Sequence, residues 1–299
     1  MAKIAVISDR GDERGTRART LATGPGWSVS EIVCTFGPGD RPFEEQHSGV
    51  SIAMVAGGTF GYRSHGGREL MTPGSLLLGS AGHAFECSHD HGAGDHCISF
   101  SYAPEFLDRL DVAPAFRALR VPPLRALSPL VARASAGLGG ATAISWEELA
   151  IDLASTAAEL DRGLSLEPAA ATAASGARVA RMVRAIERDP SHPFDLTAMA
   201  AEARLSSYHF LRIFREVTGV TPHQHLLRRR LQHAAVRLAE EPAKIVEIVL
   251  ECGFGDVSNF NRTFRAEFGA TPREWRRSLS TPPKQSRDRE RWLPLRQRL

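Results

Sequence analysis

The sequence predicts an α+β chain with two domains, a β-rich domain followed by an all-α domain. Short apolar segments separated by glycine and proline dominate from Trp27 to Phe100. Many short strands at this spacing are typical of a small antiparallel sandwich, jelly roll or barrel. From about residue 178 to residue 278 the apolar residues recur instead with helical spacing, and one arrangement of helices occurs twice.

Charge separates the same two regions. The whole chain of 299 residues has a formal net charge of only +3. Residues 178–299 hold 23 Lys and Arg against 14 Asp and Glu, whereas residues 1–177 hold 14 against 20. The C-terminal region is therefore the one suited to a polyanion such as DNA.

Cysteine usage and hydropathy restrict the class of protein. The four cysteines form no C-x-x-C pair, and no run of about 18 apolar residues occurs. The N-terminus has only a short apolar segment, followed at once by acidic residues. These features predict a reduced, cytoplasmic protein with no membrane partner.

Residues 1–163 are predicted to form the first domain. Residues 8–26 lack an apolar period and are predicted to be a mobile lead-in. Strands are predicted at Val29 to Phe36, Val50 to Ala56, Leu76 to Leu78 and Cys97 to Tyr102. Glycine pairs and a Pro-Gly pair mark the turns between them.

One segment of this domain, Glu86 to Cys97, is rich in cysteine and histidine. If Gly92 to Gly94 form a hairpin loop, strand alternation places five candidate side chains on one face: Cys87, His89, His91, Asp95 and Cys97. A loop one residue longer would break this arrangement. Thiolates and imidazoles within reach of one point suit zinc or another divalent metal, and the candidate metal ligands are Cys87, His89, His91 and Cys97.

Three interpretations of this segment stay open at the level of sequence. The segment is either a polar hairpin without a ligand, or a metal site, or a thiol switch that joins Cys87 to Cys97. A sensing role would make the metal or a small molecule the effector. Catalysis is not expected, because no nucleophile, base and orienting partner can be assembled from the sequence. The chain is therefore predicted not to be an enzyme, with a metal-dependent enzyme domain tethered to DNA as the alternative.

Helical patterns follow the strands. Short helices are predicted at Glu105 to Leu110 and at Ala115 to Leu119. A capping box at Ser145 opens a longer helix, whose apolar stripe consists of Leu149, Leu153, Thr156 and Leu160. The stripe either packs on its own barrel or joins two copies, and we favour a homodimer. Residues 164–177 are small and of low complexity, which predicts an interdomain linker.

The second domain is predicted at residues 178–279, and the basic residues 280–299 are assigned as a tail. Its first helix carries Val179, Met182, Val183 and Ile186 on one face. Two later helices share one design. Each begins at a capping residue, Ser206 or Asp256, and ends at a glycine followed by Thr-Pro, with Gly219 and Gly269 at the C-cap.

Each of these two helices has one apolar face and one polar face. The apolar faces carry Phe210, Ile213 and Phe214 in the first copy and Phe260, Phe264 and Phe268 in the second. The outward residues are Ser207, Tyr208, Leu211, Arg212 and Arg215 in the first copy, and Ser258, Asn261, Arg262 and Arg265 in the second. Hydrogen-bonding groups near the N-terminus with arginines further along are typical of a major-groove helix. A short apolar helix precedes each copy, so the pattern predicts two helix-turn-helix units in tandem.

The second copy also carries a longer signature, namely Gly253-Phe254, Asn259-Phe260, Arg262, Phe264, Phe268-Gly269 and Thr271-Pro272. With this signature, residues of about 178 to 278 resemble the DNA-binding domain of the AraC family of bacterial transcription regulators. The resemblance implies a seven-helix domain that inserts two recognition helices into successive major grooves of double-stranded operator DNA. It places Tyr208, Leu211 and Arg212, and in the second unit Val257, Ser258, Asn261 and Arg262, at positions that meet bases or the adjoining backbone.

The resemblance also carries expectations for the whole chain. It implies a cupin-like sensing and dimerisation domain at the N-terminus, an effector-dependent activator, and RNA polymerase as a partner. Between the two units, the helix predicted from Pro222 to Glu240 spans about 28 Å at about 1.5 Å per residue. That length is close to the roughly 34 Å between successive major grooves on one face of DNA. A DNA-binding protein without an effector is the remaining alternative.

Overall fold

The computed structural model describes residues 15–40, 44–92, 94–139, 144–164 and 172–280. Strands occupy the first part of this chain. Their bounds are β1 Thr16–Gly24, β2 Trp27–Cys34, β3 Glu44–Gln46, β4 Val50–Gly57, β5 Phe60–Ser64, β6 Gly67–Met71, β7 Leu76–Gly79, β8 Ala84–Ser88, β9 Asp95–Tyr102 and β10 Arg120–Val121.

The strands form two antiparallel sheets that pack face to face. One has the order β1-β2-β9-β4-β7-β10 and the other the order β3-β8-β5-β6. Alternate side chains of both sheets meet in a buried cluster that consists of Val55, Phe60, Tyr62, Met71, Leu77 and Cys97. The predicted β-rich domain with two layers is confirmed.

Helices cover the other face of the larger sheet. They are α1 Pro104–Arg109, α2 Ser128–Leu138 and α3 Trp146–Gly163. The stripe of α3 is buried in the same core as the sheet residues, with Leu149 and Leu153 both 0% exposed. The interpretation of this stripe as a dimer surface is therefore wrong, because its own sheet already covers it. A homodimer through another surface stays a prediction.

Two local predictions in this domain are wrong. Residues 16–24 belong to strand β1 rather than to a mobile lead-in, and β1 pairs along its length with β2. It lacks an apolar period because it is an edge strand with mostly exposed side chains. Residues Ala115 to Leu119 are not helical, since the amides of Arg117 and Ala118 bond the carboxylate of Asp161 at 2.9 and 2.8 Å. Residues 1–14 lie outside the described residues.

Seven helices form the C-terminal region between residues 172 and 280, the part that the structure describes. They are α4 Ala173–Arg188, α5 Leu196–Glu202, α6 Ser207–Thr218, α7 Pro222–Glu240, α8 Ile245–Glu251, α9 Val257–Phe268 and α10 Pro272–Ser280. Helix α4 is capped by the hydroxyl of Thr172 and so begins inside the range predicted as linker. Residues 165–171 of that range and residues 281–299 of the tail lie outside the described residues. No helix of the described chain is long and apolar enough to cross a bilayer.

Each helix-turn-helix unit has its own apolar core. Helices α4, α5 and α6 contribute to one buried cluster, and α7, α8, α9 and α10 contribute to the other. Helix α7 holds the units together, because Leu226 joins the first cluster and Leu231 the second. The second cluster also includes Ala132 of α2, so the helical layer of the β-rich domain is continuous with it.

Candidate DNA-binding surface

Helix α9 begins and ends where its sequence predicts. The carboxylate of Asp256 accepts hydrogen bonds from the amides of Ser258 and Asn259, both at 2.9 Å. Gly269 terminates the helix at φ 72°, in the left-handed region that favours glycine. The inward stripe of Phe260, Phe264 and Phe268 is buried. The other face of the helix is therefore left to solvent.

Helix α6 repeats this arrangement. The hydroxyl of Ser206 accepts a bond from the amide of His209 at 3.3 Å, and Gly219 ends the helix at φ 80°. Phe210 and Phe214 are 0% exposed and fill the core of the first unit. The two helices thus each have a side-chain N-cap and a glycine C-cap, equal lengths of 12 residues and equivalent apolar faces. A shared local design indicates a shared role.

The predicted contact residues lie on the surface of both helices. Tyr208 is 80% exposed, which is unusual for a large aromatic side chain in a monomer. None of the others is buried, and they are Ser207, Leu211, Arg212, Arg215, Val257, Ser258, Asn261, Arg262 and Arg265. The structure therefore leaves the candidate residues accessible to a ligand, and DNA contact by any one of them stays a prediction.

Side chains near the N-terminal end of α9 are hydrogen-bonded to each other. The guanidinium of Arg262 donates to the side-chain carbonyl of Asn259 at 2.9 Å. This bond holds Arg262 over the first turn of the helix, where bases are reached in a major-groove complex. Asp256 adds a negative charge at the same end. The surface is thus positively charged further along the helix and mixed in charge at its start.

Three consecutive arginines of α7, Arg228 to Arg230, contact other parts of the structure. Arg228 pairs with Glu267 of α9 at 3.1 Å and bonds the carbonyl of Pro123 at 2.9 Å. Arg229 pairs with Glu187 of α4. Because both partners come from other helices, these charges hold the two units in place. A run of arginines on a helix is usually a solvated face, so this role is not evident from the sequence.

Arg230 connects the two units directly. Its guanidinium bonds the carbonyls of Pro190 at 2.6 Å and His192 at 2.8 Å, which precede α5, and the carbonyl of Gly253 at 3.0 Å, which follows α8. Gly253 has φ 82° and a backbone so close to Ser191 that a Cβ would meet it at about 2.8 Å. The glycine of the signature is therefore required by a close backbone approach.

The second candidate site, in the β-rich domain, differs from its prediction. Strand β8 pairs with β3 and β5, whereas β9 pairs with β2 and β4, so the predicted hairpin is wrong. The two strands lie in different sheets, β8 in the smaller and β9 in the larger. Of the predicted ligands only His89 belongs to the group that the described residues form, which joins it to Cys34 and Asp95 with donor atoms within 4.8 Å. His91 instead bonds the carbonyl of Thr59 at 2.7 Å.

The ionisation of these groups follows from burial and from their neighbours. Burial disfavours the charged form of His89, but the Asp95 carboxylate and the Cys34 thiol outweigh it and raise the pKa of His89 to about 10. Burial, reinforced by Asp95, raises the pKa of the Cys87 and Cys97 thiols. The thiolate is therefore scarce at neutral pH, which disfavours a thiol switch between these two residues.

Comparison with known proteins finds matches to the C-terminal region. A family model described as "Helix-turn-helix domain" matches residues 199–278. The RCS-specific HTH-type transcriptional activator RclR of Escherichia coli K12 is 33% identical over 99 residues, which cover 33% of this chain and 35% of RclR. The HTH-type transcriptional activator RhaR of Salmonella schwarzengrund is 34% identical over 96 residues, which cover 32% of this chain and 34% of RhaR.

The chain thus spans about a third of the length of these curated relatives. Among solved structures, a transcriptional regulator of Chromobacterium violaceum with an AraC-type DNA-binding domain is 30% identical, with a TM-score of 0.34. That likeness covers 37% of this chain and 99% of the other.

Fold and sequence together define residues 199–278 as a tandem helix-turn-helix domain. The signature from Gly253 to Pro272 resembles that of AraC-type DNA-binding domains, and it lies within the segment that the helix-turn-helix model matches.

Proposed function

We propose that the chain is a sequence-specific transcription regulator that binds double-stranded operator DNA through α6 and α9. The observation that carries this proposal is the repeated helix, which in both copies has a side-chain N-cap, a glycine C-cap and an accessible polar face. The two copies are joined by α7, whose 19 residues match the groove spacing to within several ångströms. Relatives that are named transcriptional activators support activation. We propose RNA polymerase as the partner in that activity.

The β-rich domain is proposed to sense an effector and to transmit its state to the DNA-binding helices. Contacts between the two regions support this. Arg120 of β10 is paired with Glu69 at 2.8 Å and donates to the carbonyls of Val217 and Thr218 at 3.2 and 2.9 Å, which end α6. Glu267 of α9 accepts a bond from Ser128 of α2 at 2.6 Å. Each recognition helix is therefore held at its C-terminal end by the domain that precedes it.

Selection of bound duplexes from a randomised DNA library tests the proposal directly. The full chain should enrich a bipartite site whose halves lie about one helical turn apart. Arg262→Ala should then weaken binding to that site by about 1–3 kcal/mol, and binding to random duplex much less, because base contacts carry specificity.

Arg125→Ala is the matched control, since it removes the same charge from an exposed position of the β-rich domain. It should leave both affinities nearly unchanged. Absence of any enriched site would overturn the proposal. Equal losses of Arg262→Ala on both DNAs would assign Arg262 to phosphate alone.

A further inference from the structure

We propose that Cys34, His89 and Asp95 form a binding site for a divalent metal of borderline softness, such as Zn²⁺. The three donor atoms are a sulfur, a nitrogen and an oxygen, and they lie within 4.8 Å of one another. The side chains of His89 and Asp95 are each 7% exposed, and Cys34 is 8% exposed. A buried thiolate, imidazole and carboxylate that converge on one point suit zinc and its chemical relatives.

The fold brings these residues together from both sheets. Cys34 ends β2 and stands opposite Asp95, which begins β9, so their side chains share one face of the larger sheet. His89 follows β8 of the smaller sheet and reaches across from the other side. The site therefore lies between the two sheets at one end, and the rings of Phe36 and Phe60 flank His89 with centroids at 6.2 Å.

The three groups already contact one another. His89 Nδ1 forms a buried ion pair with Asp95 Oδ2 at 3.0 Å. Cys34 Sγ lies 3.5 Å from the other ring nitrogen of His89. A metal ion binds the deprotonated forms of such ligands and releases their protons. A cation at this point would therefore replace the proton that His89 and Asp95 share.

The geometry requires only a small adjustment to accept the ion. Zinc bonds of about 2.0–2.3 Å place its ligand atoms roughly 3.3–3.8 Å apart. Since the donor atoms here lie within 4.8 Å of one another, they need to approach by at most about 1 Å, which side-chain rotation can supply. Three protein ligands leave a fourth position open, as in zinc sites that keep an exchangeable ligand.

The site lies beside a contact with the DNA-binding domain. Asp90, the residue after His89, accepts a bond from Arg184 of α4 at 2.9 Å. The same guanidinium donates to the hydroxyl of Thr59 at 3.1 Å, and the carbonyl of Thr59 bonds His91. Movement of His89 toward a metal therefore displaces a segment that holds α4. If the chain is the regulator proposed above, metal binding changes its affinity for DNA.

Metal titration of the chelator-treated full chain tests the site without reference to DNA. The wild-type chain should bind one Zn²⁺ or Co²⁺ per chain and unfold at a higher temperature when loaded. Bound Co²⁺ should show the absorption of a thiolate ligand. Cys34→Ser and Asp95→Asn should each weaken the metal affinity by roughly 100-fold or more. Circular dichroism verifies that the variants fold. If Cys34→Ser fails to fold, the near-isosteric Asp95→Asn still tests the site.

Cys87→Ser and His91→Ala are the matched controls, because the sequence alone makes them equally good ligands. Both variants should still bind one metal ion per chain. A metal-free wild-type chain, or a loss in Cys87→Ser as large as that in Cys34→Ser, would overturn the site. Alkylation of Cys34 at an equal rate with and without metal would overturn it as well.

The coupling to DNA is measured separately. Metal should change the affinity of the wild-type chain for its selected site by about 5- to 150-fold. Asp90→Asn should bind the metal with the same stoichiometry but lose most of this change. Metal binding with an unchanged DNA affinity would overturn the coupling and leave the site standing. Absence of any specific DNA binding would overturn the proposed function. The number of metal ions bound per chain would still show whether the metal site exists.

Discussion

At the scale of single residues, burial decides which polar groups respond to pH. His225 of α7 is 1% exposed. Burial, and then the charges of Arg229 and Arg228, lower its pKa to about 3. In the unfolded chain the imidazole regains an ordinary pKa of about 6.5. The unfolded state therefore binds more protons than the folded state between these two values.

We expect His225 to make the fold sensitive to mild acid. Its contribution to stability is present above pH 6.5 and is lost as the pH falls toward 3, by about 2 kcal/mol between pH 6.5 and pH 5. Urea unfolding of the wild-type chain and of His225→Gln at pH 6.5 and pH 5 measures this change in the free energy of unfolding. The loss on acidification should be smaller in the variant by about 2 kcal/mol. His223→Gln, at an exposed position of the same helix, should behave as the wild type. Equal pH dependence in all three proteins would contradict the prediction.

At the scale of elements, the recognition helices depend on their caps. Asp256 satisfies two amides at the start of α9, so Asp256→Ala should lower the free energy of unfolding by about 1 kcal/mol. Asp256→Ser keeps a capping oxygen and should cost only a few tenths of that value. Chemical denaturation of both variants measures the difference. An Ala variant as stable as the Ser variant would show that the cap does not limit stability.

The charge of Asp256 has a separate effect on DNA binding. Since the carboxylate lies at the end of α9 that approaches the bases, Asp256→Ser should bind DNA more tightly at low salt, and the gain should shrink as salt screens the phosphates. Fluorescence anisotropy at two salt concentrations measures this. Asp108→Ser removes an equal charge from α1 and should have no effect. A gain that is independent of salt would contradict the electrostatic explanation.

At the scale of the whole molecule, Arg120 couples the two regions. It is buried at 9% exposure and satisfies both Glu69 and the last carbonyls of α6. Arg120→Met should lower the free energy of unfolding by about 3 kcal/mol, because it leaves a carboxylate and two carbonyls without their partner. Hydrogen exchange at the end of α6 should quicken in the same variant.

Arg125→Met is the control for this prediction, since it replaces an exposed arginine of the same domain. Its effect should stay within about 0.5 kcal/mol. A similarly small effect of Arg120→Met, with unchanged exchange in α6, would show that the β-rich domain does not hold the recognition helix.

The sequence by itself determined the features that are encoded within a few residues. Caps such as Asp256 and Gly269, and stripes such as that of Phe260, are local, since a helix repeats every 3.6 residues and ends where a specific residue stops it. The bounds of α7 and the accessible faces of α6 and α9 were predictable for the same reason. Strands in the larger sheet were predictable within a few residues, because buried strands are apolar runs bounded by turns.

Only the tertiary structure decided which strands pair and which distant residues meet. Cys34 precedes His89 by 55 positions, and no local pattern reveals that β2 and β8 bring them to one point. The edge strand β1 carries no apolar signal, and the arginines of α7 found partners on other helices. Long-range pairing is selected by the packing of the entire core, so a sequence window contains the donor groups without their arrangement.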